Sequence, residues 1–517
     1  MDCPEAGLVL RNANVITLEP RRPQARTVYI QGGRILKVSG RDIEPALAGP
    51  GTRVIDCAGK TVIPAFHDAH CHVPAYAESL LNIDIGPTSV RSIADIVHKI
   101  KEAATAQPAG SWIRCGGYNE FYLKEKRHPT RHDLDRATAA HPVKLTHRSG
   151  HAHVLNSPAL AMAGIGNETE EPPGGMIERD HETGSPNGLL YGMGDYLAQR
   201  IAPAGDNELD AAIARAGRTL LSLGITMAQD ASPGNGMARW NRFIRWKRQG
   251  LFAPRIVMMF GAGELESLQG RQPFYDKETG LGSGAVKIVI DEVRGSLNPP
   301  QEELNRLAAD IHRRGLQAAI HTVEESTVKA AALALEYALR ELPAEGHRHR
   351  LEHCSVCTPA MARRLARMGA CVVTNPAFIY YSGERYLSEV PPHQLEHLYA
   401  INTMLKAGVR VAAGSDAPVA NPDPLKGIYA AITRHSMTGQ QVTPGEAISP
   451  LDALKLYTVN AAYSCFREGQ TGSITKGKWA DLVVLNGDPL TANHGELKHL
   501  KAVMTVMDGE VVYSEAI

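Results

Sequence analysis

Residues 64–73 read "PAFHDAHCHV". Three histidines and an aspartate fall within six positions, directly after the apolar run Val62-Ile63-Pro64-Ala65-Phe66. Such a run ending abruptly in imidazoles reads as a buried strand whose end reaches a functional rim. His70 and His72 are two apart, so on an extended chain they face the same side, and Cys71 between them points away. Asp68 shares their face and is placed to orient one of them, whereas His67 lies on the opposite face. Two neutral imidazoles side by side can grip one zinc-like ion.

Seven further stretches downstream have the same build, an apolar run closing on polar residues: "GITMAQDAS", "RIVMMFGAG", "AVKIVIDE", "LQAAIHTVE", "HRLEHCSV", "ACVVTNPA" and "VRVAAGSDAP". Helix-like segments such as "PQEELNRLAADIHRRG" and "TPAMARRLARMG" separate most of them, several ending in Gly where a helix C-cap belongs. Eight strands with crossover helices predict an α/β chain folded as a (β/α)8 TIM-like barrel. Its first connection, about 73–220, is far too long and must hold an insertion with structure of its own. Both chain ends alternate in a β-like way, as in "LVLRNANVITL" and "LKAVMTVMDGEVVYS". The expected organisation is therefore a small β-sandwich from 1–60 plus 468–517, beside a barrel over 61–467.

Active sites of such barrels form at the C-terminal ends of the strands. The first strand ends in Asp68, His70 and His72, the fifth at His321, the sixth at His353 and the eighth at Asp416. A single strand-end histidine is more often structural, but four histidines and an aspartate at predicted strand ends form a metal-ligand set. Lys287, inside "AVKIVID", sits among apolar neighbours where a buried ammonium is costly. It is either paired with Asp291 or Glu292, or neutral through burial, or, beside two metal ions, a carbamate formed from the neutral amine and carbon dioxide.

Composition narrows the function classes. The 517 residues carry 55 Lys+Arg against 55 Asp+Glu, so no electrostatic footprint for nucleic acid or an anionic membrane is expected. No apolar run approaches the roughly 20 residues of a membrane helix, and no signal peptide is read at the N-terminus. Eight scattered cysteines fit free thiols in a reducing cytoplasm, and "CSVC", Cys354 to Cys357, reads as ordinary barrel packing. Any partner must be found through local chemistry, with a homodimer as the assembly left open.

"HDAHCH", "AVKIVID", "AAIHT", "RLEHCS" and "AAGSDAP" together resemble the strand-end motifs of the amidohydrolase superfamily. More narrowly, "WIRCGGYNE", "LDRATAAHPVKL", "GHAHVLNSPAL", "EPPGGMIERDHETGSPNGLL" and "LGITMAQDAS" resemble the amidohydrolase family 3 branch, which includes N-substituted formamide deformylases. The resemblance covers nearly the whole chain. It implies two divalent metal ions, most often zinc, with His70, His72 and Asp416 on one, His321 and His353 on the other, and a carbamylated Lys287 bridging them. It also implies Asp416 as the catalytic proton shuttle. Glu292 departs from the branch, which usually has Gly there.

The implied reaction is hydrolysis of an amide-like C–N bond, with N-formyl or N-acyl amines as substrates. Tyr118, Asn119 and His151 in the insertion, with Phe378 and Tyr381 after strand seven, are the candidate substrate contacts; packing of the insertion is the alternative role for these aromatics. Two other functions remain: a mononuclear deaminase of an amidine or heterocyclic amine, which would lack the Lys287 ligand, and a non-catalytic barrel scaffold, which would have lost ligands.

Overall fold

In the computed structural model, residues 6–42, 47–268, 274–293 and 296–515 are described. The chain forms two compact units, one running to Val73 and resuming at Ala216, the other Pro74–Arg215.

The first unit contains eight strands in one sheet: β1 (Phe66–Cys71), β2 (Ile225–Asp230), β3 (Arg255–Gly261), β4 (Leu281–Ile288), β5 (Ala318–Thr322), β6 (Arg350–His353), β7 (Cys371–Thr374) and β8 (Arg410–Ala413). Each pairs in parallel with the next. The strands are short and almost wholly buried, which is why they read as apolar runs rather than alternating ones. Beyond the ladders, the His72 N–H donates to the Ala417 carbonyl at 2.9 Å, bringing the last strand's end against the first. The result is a TIM-like barrel, as the eight apolar runs predict.

Helices follow the strands where sequence signals place them. Pro359–Met368 starts on Thr358, whose hydroxyl accepts from the Met361 N–H, and stops at Gly369 in the left-handed region at φ 68°. That conformation carries no Cβ penalty for glycine. After β4, Asp291–Val293 turns back in a small hairpin with Ser296–Asn298 instead of continuing the strand.

Two further sheets in this unit come from the chain ends. One has the order Arg34–Ser39, Thr27–Gln31, Leu8–Arg11, Arg53–Asp56. The other includes Thr61–Pro64 paired antiparallel with Leu482–Leu485, and Ala502–Met507 beside it. Leu8, Leu10, Val28, Ile35, Val62, Leu482, Val484 and Val506 share one apolar core between them.

The second unit holds a six-stranded sheet whose members include Ile113–Tyr118, Val143–His147, Ala152–Leu155 and Pro186–Tyr191. Helix Ile93–Ala106 begins with a Ser92–Asp95 capping box and buries Ile93, Ile96 and Ile100 against Ile113, Val143 and Leu145.

Candidate metal centre

The ends of β1, β5 and β6 carry a continuous group of imidazoles, and Asp416 follows β8. Ring centroids run 5.4 Å from His72 to His70, 4.7 Å from His70 to His353 and 4.6 Å from His353 to His321. Asp416 Oδ1 lies 3.0 Å from His72 Nε2 and 3.4 Å from His70 Nε2. One donor atom from each of His70, His72 and Asp416 lies within 4.8 Å of the others, the set a metal ion requires.

The hydrogen bonds behind the rings decide which nitrogens face the mouth. Asn375 donates its amide to the Gly414 carbonyl at 3.0 Å, so its oxygen is the atom 2.7 Å from His353 Nδ1. His353 Nδ1 must therefore donate, and its Nε2 keeps a lone pair. The Glu352 carboxylate contacts His70 Nδ1. An ionised carboxylate only accepts, so neutral His70 likewise presents an Nε2 lone pair, and that atom makes no hydrogen bond. Two imidazole lone pairs beside a buried carboxylate are a donor set suited to zinc or a similar ion.

Electrostatics agree with this reading. Burial alone would raise the Asp416 carboxyl, but contacts with His70 and His72 and the nearby His353 hold it well below the usual carboxylate range. Burial pushes His353 down to about 4, and it pushes His321 far below the ordinary imidazole value, with His353 and Lys287 adding to the effect. The His321 and His353 rings are thus neutral at physiological pH, the form that ligates.

Lys287 on β4 is 2% exposed, and its Nζ has no hydrogen-bond partner. Burial pushes it down to about 8, against the raising influence of Glu352 and Asp416. Glu292 is engaged elsewhere, accepting from Ser326. Asp68 does not reach the imidazole: it accepts from the N–H of His70 at 3.2 Å and from the N–H and hydroxyl of Ser415 at 2.9 and 2.5 Å. Cys71 turns its thiol to the Gln229 carbonyl.

Of the candidate substrate contacts, Phe378 packs edge-on against Tyr399 at 5.9 Å and Tyr381 against Tyr380 at 5.0 Å. Tyr118, Asn119 and His151 belong to the second unit. There the Tyr118 hydroxyl lies 3.0 Å from His128 Nδ1, Asn119 caps a short turn by accepting from the Phe121 N–H, and His151 is exposed. His147 Nε2 in the same unit lies 2.9 Å from Glu120.

Sequence reading missed Arg350, Glu352, Gln229 and Asn375, which hold the ligand candidates from behind. The available signal was a buried Arg and Glu two apart in "RLEH", unusual inside a barrel strand.

Comparison with known proteins gives the lineage. The amidohydrolase family profile matches residues 53–513. The N-substituted formamide deformylase of Arthrobacter pascens is 31% identical, covering 98% of each chain. A putative amidohydrolase of Bacillus subtilis, YtcJ, is 27% identical over 97% of this chain and 98% of its own. An uncharacterized metal-dependent hydrolase from Pyrococcus horikoshii shares the fold, with a TM-score of 0.74 at 20% identity over 94% of this chain and 99% of its own. The family match spans the barrel, the inserted unit and most of the C-terminal β-rich end, and with it the chain belongs to the amidohydrolase family of metal-dependent hydrolases acting on C–N bonds.

Proposed function

We propose that this enzyme hydrolyses an N-formyl or N-acyl amine to a carboxylic acid and an amine. The observation that carries the reading is the grouping of His70, His72 and Asp416 at one barrel mouth with His353 and His321 alongside. The 31% identity to a formamide deformylase over 98% of the chain supports the substrate class.

His70, His72 and Asp416 would hold one divalent ion and His321 and His353 a second, most simply zinc, with Lys287 carbamylated between them. A buried, unpartnered amine pushed down to about 8 supports the carbamate, since only the neutral amine combines with carbon dioxide. Bound ions would supply Lewis acidity toward the carbonyl and toward water. Asp416, ionised and within the ligand group, accepts a proton from the attacking water and returns it to the leaving nitrogen, so the amine departs neutral. Phe378 and Tyr381 are proposed to contact the substituents. The paired end sheets are read as one small sandwich. Seven free cysteines among the described residues fit a cytoplasmic setting.

The test is a panel of N-formyl and N-acyl amines offered to zinc-loaded protein, with released amine and acid measured. Formate and amine in equal amounts from at least one N-formyl amine are expected; no release from any member would sink the proposal.

A further inference from the structure

We infer that the buried Arg350–Glu352 pair positions His70, fixing its tautomer and ring direction, and thereby sets how tightly the centre holds its ion. The inference rests on the metal-centre reading given above.

Arg350 and Glu352 are two apart on β6, share a face and are fully buried. The Arg350 guanidinium reaches across three strands. It donates to the Ala69 carbonyl on β1 at 2.7 Å, to Gln229 Oε1 on β2 at 2.5 Å, and to both Glu352 oxygens. Gln229 cannot turn its amide toward Arg350, because its Nε2 donates to Ser464 Oγ at 3.0 Å and to the Ala461 carbonyl at 3.2 Å. Glu352 Oε2 then carries the network on to His70 Nδ1. One guanidinium therefore holds both the carboxylate behind the His70 ring and the backbone of the residue preceding it.

Charge is what this arrangement secures. A neutral amide at position 352 could either accept from Nδ1 or donate to it. Donation would place the imidazole proton on Nε2, the atom that faces the mouth. An ionised carboxylate leaves only one choice. The Arg350 guanidinium donates to both Glu352 oxygens and so holds the carboxylate in its orientation behind the ring. Stability is a poor reason for the pair, since buried ion pairs are often replaceable by apolar residues without loss. The strand itself is already clamped by Asp68.

The test separates positioning from packing with Glu352→Gln, Arg350→Met and the double variant. Zinc affinity is measured by competition with a chromophoric chelator, and thermal unfolding is measured on the metal-free forms. Glu352→Gln is expected to bind zinc about 10–100-fold more weakly, the usual effect of removing a partner behind a ligand. The double variant leaves no unpaired buried charge, so its unfolding temperature should recover toward the parent's while its zinc affinity stays low. Zinc affinity within about threefold of the parent in Glu352→Gln or the double variant overturns the inference. So does an affinity that simply follows unfolding temperature across the variants. Should Glu352→Gln not fold, Glu352→Asp, which keeps the charge but draws it back from the ring, is expected to weaken zinc in the same direction. A parent protein that takes up no zinc removes the metal-centre reading itself; a zinc-binding parent with unaffected variants removes only this inference.

Discussion

The backbone N–H of Asp416 donates to the carbonyl of His70 across 2.7 Å, so the last barrel strand is fastened to the first at the two residues proposed to share a metal ion. The His70 and Ser415 amides both converge on Asp68, and the Ser415 hydroxyl donates to the same carboxylate at 2.5 Å. Ligand geometry and barrel closure are thus one structural feature.

Gly414 makes that closure possible. A Cβ there would lie 2.4 Å from the His70 nitrogen and 2.7 Å from its oxygen. Gly414→Ala must push the strands apart, at a cost of about 1–3 kcal/mol typical of overpacking. A lower denaturation midpoint and reduced zinc content are expected together; an unchanged zinc content in a destabilised variant would separate closure from ligation.

Much of this was legible because the barrel writes its strands as apolar runs with polar ends, and all eight runs are strands. Two things were not. "TVIPAFHDAH" reads as one strand, but it divides at Ala65, with Thr61–Pro64 in an end sheet and Phe66–Cys71 in the barrel. An apolar run carries no mark of which sheet each half joins. The residues behind the ligands were also hidden, because Arg350, Glu352 and Gln229 come from β2 and β6 and meet only across the barrel interior. The candidate ligands were visible locally as strand-end residues; the side chains behind them depend on strand neighbours.

Two metal ions per chain are expected by elemental analysis, with a carbamate mass on Lys287 in protein kept under carbon dioxide. Chelation should stop turnover while leaving the far-ultraviolet dichroism unchanged, because the cores are apolar and independent of the ions. One ion per chain with unmodified Lys287 would favour a mononuclear centre and remove the bridging role.

Acid should destabilise the metal-free protein in a defined window. Burial pushes His67 and His153 down to about 3 and His349 well below its usual value. Unfolded histidines protonate near pH 6.5, so between about pH 6.5 and 4 the unfolded state binds more protons. Stability is therefore complete above this range and falls as pH drops, by about 1.4 kcal/mol per pH unit for each such histidine. Asp68, pushed up to about 6 by burial, and Asp423 and Asp481, also raised by burial, oppose this with the opposite sign, while His321, His347 and His353, lowered by burial, add to the loss. A denaturant midpoint that stays flat or rises from pH 6.5 to 5 would contradict the neutral, buried state of these rings.

Asp416→Asn is the most direct test of the chemistry. The amide keeps the shape, and its oxygen can still face the metal, but it cannot take a proton from water and pass it to the leaving nitrogen. Losing general acid–base help costs about 10²–10⁴-fold in rate. The ligand defect added by the same change places the expected loss in kcat toward the upper end. KM should move much less, because the substituent contacts proposed for Phe378 and Tyr381 are untouched. The interpretation depends on metal content, so turnover must be measured on variant protein shown to carry the parent's zinc. Near-parental turnover under that condition would falsify the shuttle role of Asp416.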